Sequence, residues 1–331
     1  MRVMTMMAAA ALLGAGASRA AAQTVNQSVA ADPTGTVEVH AVAGQLRVVG
    51  WSRNQVQVTG QLGGAGERVE VEDEDGSVVV RVVYPRGRTH NTSGRGTDLE
   101  VRVPARSDLE VNVVSADASV AGLDGDVQVH SVSGGIRVAN SRSREISVAT
   151  RSGTVEVTAD ADRVEAASVS GGVTVSGTVR DRVEANSVSG MVRVTAAAGE
   201  VEAGSVSGGV EIASMRGRAE VHSVSGDVRV TGRALSGTFQ TVSGEITLVG
   251  DLARGSDLEL TTHSGSITLQ VPASTSAQVD FTTFSGDIEA QFPGARVTRT
   301  SRREIHVVIG GGNAARVTAQ TFSGDVRLER R

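Results

Sequence analysis

The chain has no cysteine and no lysine, and aromatic residues make up only 2% of its 331 positions. Each absence excludes something. Without cysteine there is no disulfide framework, no thiolate chemistry and no lipid-attachment cysteine. Without lysine there is no Schiff-base chemistry and no Walker-type phosphate loop. With Trp51, Tyr84 and five phenylalanines as the only large rings, any core must be thin and built from Val, Ile, Leu and Ala. A net charge of −5 and a pI near 5.8 provide no general basic field for nucleic acid. No segment approaches the roughly 18 consecutive apolar residues that a membrane-crossing helix requires.

The first residues run from Met1-Arg2-Val3 through an Ala/Leu/Gly stretch to Ala20-Ala21-Ala22 before Gln23. This is the layout of a secretory signal peptide over residues 1–22. The expectation is therefore an exported protein, periplasmic or extracellular, with no membrane insertion after cleavage.

What the chain does have is a period. Ser-Gly recurs at Ser133, Ser152, Ser170, Ser189, Ser207, Ser225, Ser243, Ser264, Ser285 and Ser323, mostly eighteen or nineteen residues apart. Two residues before each serine stands another hydroxyl, from Ser131 and Thr150 to Thr283 and Thr321. Apolar pairs follow in fixed phase, such as Val173 and Val175, Val192 and Val194, Val210 and Ile212. A repeat this short cannot enclose a core alone, so copies must stack. Period-two alternation on both sides of the Ser-Gly corner fits two short strands per copy, with polar corners such as Thr178 to Arg182 between copies. Nothing recurs at three to four residues, which excludes helical repeats. The reading is an all-β, single-stranded β-solenoid of 18–19-residue coils, each rising about 4.8 Å. By alternation the hydroxyls preceding Ser-Gly face inward as a ladder, where they need hydrogen-bond partners.

Two regions depart from the repeat. Residues 23–108 read as a decayed coil around Val37 to Val48, then a hairpin of Val69-Glu70-Val71 and Val78-Val79-Val80 across an acidic turn, Glu72 to Gly76. A mobile loop is expected over 85–96. Residues 109–331 form the repeat domain, degenerate near 291–315, with one further irregular coil around Ile305, Val307 and Ile309. These departures suit atypical end caps.

Candidate chemistry was weighed residue by residue. Asp126, Asp227 and Asp287 sit next to turns, where local hydrogen bonding favours Asp. His40, His90, His130, His222, His263 and His306 form no HxH or HxxxH pair, and His130 and His222 share a repeat phase several coils apart. The run from Glu72 to Gly76 offers calcium-type oxygens but lacks calcium-loop spacing. Ten Ser-Gly copies at one phase argue for geometry, since a nucleophile would be singular and beside a base. Arg142, Arg144, Arg180, Arg182, Arg216 and Arg218 suggest a positive edge diluted by Glu145, Asp181 and Glu220. No catalytic, cofactor-binding or metal-ligating residue is assigned, and no cofactor is expected.

The stretch Leu99-Glu100-Val101-Arg102-Val103-Pro104, continuing to Leu109-Glu110-Val111 and Val114-Ser115-Ala116-Asp117, then serial Val-Ser-Gly-x-Val motifs, resembles a bacterial domain family of unknown function named "putative adhesin". That family carries the same Val-Pro corner followed by repeated Ser-Val-Ser-Gly coils. The resemblance runs from about residue 35 to the end and implies architecture rather than activity. Ala116 departs from it, where glycine is expected. The expected function is a non-enzymatic surface presented to an envelope or extracellular glycan or protein. A carbohydrate-active β-helix enzyme and a self-associating rod are the alternatives.

Overall fold

The computed structural model describes residues 23–64, 66–74, 76–84, 96–311 and 314–331, and among them the only regular structure is β-strand. Residues 1–22, expected to be a signal peptide, Asp75, and residues 85–95 of the expected loop with His90 lie outside the described residues.

Each coil has three legs rather than the two strands its apolar pairs suggest. The coil that begins at Val192 separates them: Val192–Val194, a bridge between Ala197 and Thr178 of the preceding coil, and Glu200–Ser205. The middle leg buries small side chains, Ser141 and Ser143, Ala159 and Ala161, Ala196 and Ala198 on different coils. Register shifts at Thr158/Ala159 and Ala161/Arg163 mark its two bends. Further shifts fall at Ile212/Met215, Arg216/Arg218 and Gly232/Leu235, while the flanking legs stay in parallel register, Val173 over Val155 and Ser187 over Ser168. One continuous buried core runs from Val25 to Leu328, so the change at residue 108 is no break in packing.

The order of stacking departs from the order of the chain at both ends. Thr36–Trp51 is a regular coil, not a decayed one. It lies between Asp108–Ala121 on one side and Ser77–Val83 with Thr97–Pro104 on the other. At the opposite end the last coil, Ala315–Ser323 with Val326–Arg330, is inserted between Asp257–Val271 and Ala277–Gln291. The first and last coils are thus interior layers.

Antiparallel strands close the stack beyond them. Arg68–Glu74 pairs with Ser77–Val83, and Gln55–Leu62 pairs with both Thr97–Pro104 and Gln23–Ala30. The acidic run is mostly strand: Glu72, Asp73 and Glu74 stand opposite Val79, Val78 and Ser77. At the far end Glu304–Ile309 runs antiparallel to Ala277–Ser285 and to Arg296–Ser301. Ile305, Val307 and Ile309 therefore belong to a capping hairpin, not to a further coil. Their period-two alternation is shared by both structures, and the missing Ser-Gly is what separates them.

At the corners, glycine is required by contact. A Cβ on Gly171 would stand 1.8 Å from the carbonyl oxygen of Gly153, and one on Gly208 would stand 2.0 Å from that of Gly190. The inserted coil obeys the same rule, with Gly324 over Gly265 and Gly286 over Gly324. Gly208→Ala should therefore destabilise the protein by about 1–3 kcal/mol or more in urea unfolding, whereas Gly311→Ala, with open space around it, should be near neutral. Because the final coil is an interior layer, the amides of Val317, Ala319 and Val326 should exchange hydrogen as slowly as those of the central coils. Fraying there would contradict the inserted order.

Candidate functional site

The Ser-Gly corner is built around buried hydroxyls. Ser168, Ser187 and Ser205 each donate to a corner glycine carbonyl one coil back, Gly153, Gly171 and Gly190, at 2.9–3.1 Å. Each also accepts from its own corner, from the N–H of Gly171, Gly190 and Gly208 at 2.9–3.0 Å. Thr241, Thr262, Thr283 and Thr321 donate in the same way. The inward ladder expected from alternation is present, and its partners are the corner backbone. Ser131 is the exception. Its Oγ is buried without a partner, at the coil that stacks on the corner where Ala116 replaces glycine.

Since the hydroxyl faces in, the residue after it faces out. On five successive coils that residue is Val169, Val188, Val206, Val224 and Val242, exposed by 43–49%. Val114 and Val132 begin the row, and Arg151 interrupts it. The backbone carries the ladder over this edge, the N–H of Ser189, Ser207 and Ser225 donating to Val169, Val188 and Val206. The serines of Ser-Gly stand exposed beside the valines. The result is an apolar ridge with one side chain per coil at about 4.8 Å spacing. Single exposed valines need no explanation, but a contiguous row does.

The ridge ends in rings. His263 stacks on Phe322 at 5.0 Å and Phe322 on Phe284 at 4.7 Å, nearly parallel, and the Arg303 guanidinium lies 4.6 Å over the Phe284 ring. The inserted last coil places Phe322 between the other two rings. Their flat faces are thereby covered and their edges point outward. An open groove of about 770 Å³ runs alongside, where His222, Gln240, Thr261 and Gln320 face the ring row.

The other sequence candidates fall into place around this frame. Asp126 and Asp227 accept backbone N–H bonds from Glu145 and Glu245 on the next coil, at 3.0 and 2.9 Å. They bond between coils rather than within their own turns. Asp287 donates its N–H to Asp325 at 3.1 Å. His306 contacts Asp280 at 2.6 Å, His130 contacts Gln128 at 2.9 Å, and His40 lies 3.6 Å from Glu38. His222 is exposed and His130 half-buried. Among the described residues no three acidic or histidine side chains are gathered as a metal site would require. Of the six arginines singled out, Arg144, Arg180, Arg182 and Arg218 pair with Asp126, Asp160, Glu202 and Glu220. Hydrogen bonding from Arg218 holds the Glu220 carboxyl below its ordinary range. Arg142 and Arg216 join no ion pair among the described residues. The ridge itself went unread in the sequence, although the alternation that turns Ser168 inward already turns Val169 outward.

The fold and this corner define a stacked parallel β-solenoid with an exposed apolar edge. The chain belongs to the Toastrack DUF4097 family, which matches over residues 36–217 and 213–329. Among solved structures it is similar to a "putative cell adhesion protein" from Clostridium sporogenes, at 10% identity with 93% of this chain and 100% of that one covered and a TM-score of 0.23. It is also similar to "putative adhesin" proteins from Bacteroides fragilis and Parabacteroides distasonis, each at 10% identity and a TM-score of 0.36, covering 93% and 94% of this chain and 97% and 98% of theirs. No curated protein matches.

The two kinds of ladder hydroxyl should separate in a stability measurement. Ser187→Ala strands a glycine N–H and a glycine carbonyl and should cost about 1–3 kcal/mol. Ser131→Ala removes a hydroxyl without a partner and should be neutral or stabilising.

Proposed function

We propose that this protein is an exported, non-enzymatic, adhesin-like module that presents its apolar ridge to an envelope or extracellular component. The carrying observation is the ridge: five valines in register on consecutive coils, continued by stacked rings. A row of equivalent contacts gives avidity without any strong single site, and a rigid solenoid keeps them collinear.

The groups that catalysis would need are engaged elsewhere or isolated. Corner aspartates hold neighbouring coils together, and the Ser-Gly serines repeat along an edge with no base at each. The faces of Phe284 and Phe322 are covered by their neighbours, which removes them as sugar-stacking platforms and weighs against a carbohydrate-active enzyme. A self-associating rod is disfavoured by antiparallel caps that cover the end coils and place charge on one cap strand at each end, Glu70 and Glu72 on Arg68–Glu74 and Arg296 and Arg299 on Arg296–Ser301.

The test is binding to intact cells and a panel of envelope glycans, with reducing-sugar release assayed in the same wells. Saturable binding without sugar release is expected. Replacing Val169, Val188 and Val206 together by Thr should weaken it about tenfold or more, with unfolding shifted by under about 1 kcal/mol because these positions are solvent-facing. Sugar release, or binding indifferent to the three substitutions, would overturn the reading.

A further inference from the structure

Away from the ridge, at the bend between the first and middle legs, the solenoid surface is concave. Arg216, Arg233 and Arg331 line a groove of about 740 Å³ together with Ser214, Thr231 and Asp251. Arg216 and Arg233 are direct register partners on adjacent coils. Elsewhere a cross-coil arginine meets a carboxylate, as in Arg137 to Glu156 at 2.6 Å and Arg193 to Glu211 at 2.8 Å, and where Arg163 stands in register with Arg182, Arg182 is answered by Glu200 and Glu202. Here arginine stands in register with arginine, and like charges directly opposite destabilise a strand pair. None of the three arginines joins an ion pair among the described residues.

The backbone at this bend is also unusual. Ser214 and Ala234 have φ of 63° and 52°, two of the three positive values among described non-glycine residues. Where another coil has Gly177 two residues after its apolar pair, Ser214 keeps a side chain at the expense of backbone strain, which gathers at sites with a task. Buried Met215 and Leu235 anchor the two turns beneath.

We propose that this groove is an oxyanion-binding site, in which Arg216 and Arg233 jointly hold a sulfate, phosphate or carboxylate group. Paired planar guanidiniums suit such groups because each can donate two parallel N–H bonds to one anion. The hydroxyls of Ser214 and Thr231 supply further donors, and Asp251 is the opposing charge that limits affinity. The anion is either free or carried on a polymer. The site is independent of the ridge, lying at a different corner and using different chemistry, so either assignment can fail alone.

The probes are inorganic sulfate, followed by arginine side-chain NMR shifts, and fluorescent dextran sulfate, followed by anisotropy with uncharged dextran as blank, at low ionic strength. Sulfate shifts confined to Arg216 and Arg233 would assign a free anion. Binding of dextran sulfate alone would assign a polymer. In either case the R216S/R233S double variant should lose about tenfold or more in affinity, and Asp251→Asn should gain severalfold. R81S/R142S removes the same charge from exposed positions elsewhere and should change affinity by less than about threefold. Equal losses in the two double variants would mean general charge attraction and overturn the site, as would absence of binding to both probes.

Discussion

The structure depends on how closely one corner can approach the next. With the Cβ of Gly171 replaced by hydrogen, the corner settles onto the Gly153 carbonyl, and the same contact recurs up the stack. That approach brings the carbonyl within reach of the hydroxyl two residues before each Ser-Gly, and the hydroxyl in turn accepts the N–H of its own corner. Contact and relay together fix rotational phase, so every coil starts its legs at the same place. A single phase error would turn each following leg inside out. The ridge follows from this lock, because the residue between two fixed points has no direction left but outward.

A periodic stack has the opposite difficulty at its ends, where a coil offers unpaired backbone to any passing strand. Here the exposed layers are not the first and last coils. The first and last coils are slotted one layer inward, and the outermost coils are covered by antiparallel strands that break the parallel pattern. The inserted layers make the ends long-range in sequence, Thr262 pairing with Thr321, so closing them requires distant contacts late in folding. Both ends solve the edge problem by the same route, with an acidic strand, Arg68–Glu74, in one cap and an arginine-bearing strand, Arg296–Ser301, in the other.

How far this could be read in the sequence follows from what a repeat reveals. Coil length, inward hydroxyls and the glycine corner are phase information, and phase is visible in Val173, Ser168 and Gly171 alike. Layer order is not, because the copy at Thr321-Phe322-Ser323-Gly324 would fit any neighbour in the same register. The middle leg escaped notice because it is lined by Ser141, Ser143, Ala159 and Ala161, which carry little hydrophobic signal. Val169 and its equivalents were hidden differently. A valine among core valines reads as core unless it is counted against the hydroxyl beside it.

Columns, rather than single residues, are the units in which such a fold carries function. A side chain at any outward phase is repeated at one-coil intervals, so chemistry appears as the composition of a column and as its interruptions. The valine column is unbroken from Val169 to Val242 and ends where His263, Phe322 and Phe284 replace it, which makes it a surface. The charged columns mostly alternate, Arg137 with Glu156 and Arg193 with Glu211, which neutralises them. Arg216 over Arg233 breaks that alternation at a bend held in strained backbone, and a break in a neutralised column leaves charge with no internal partner. The two features ask different things of a ligand: length from the ridge, and one localised negative group from the groove. Since both sit on one core without a hinge between them, a partner meeting both would have to present its apolar stretch and its anion at a spacing fixed by the coil rise.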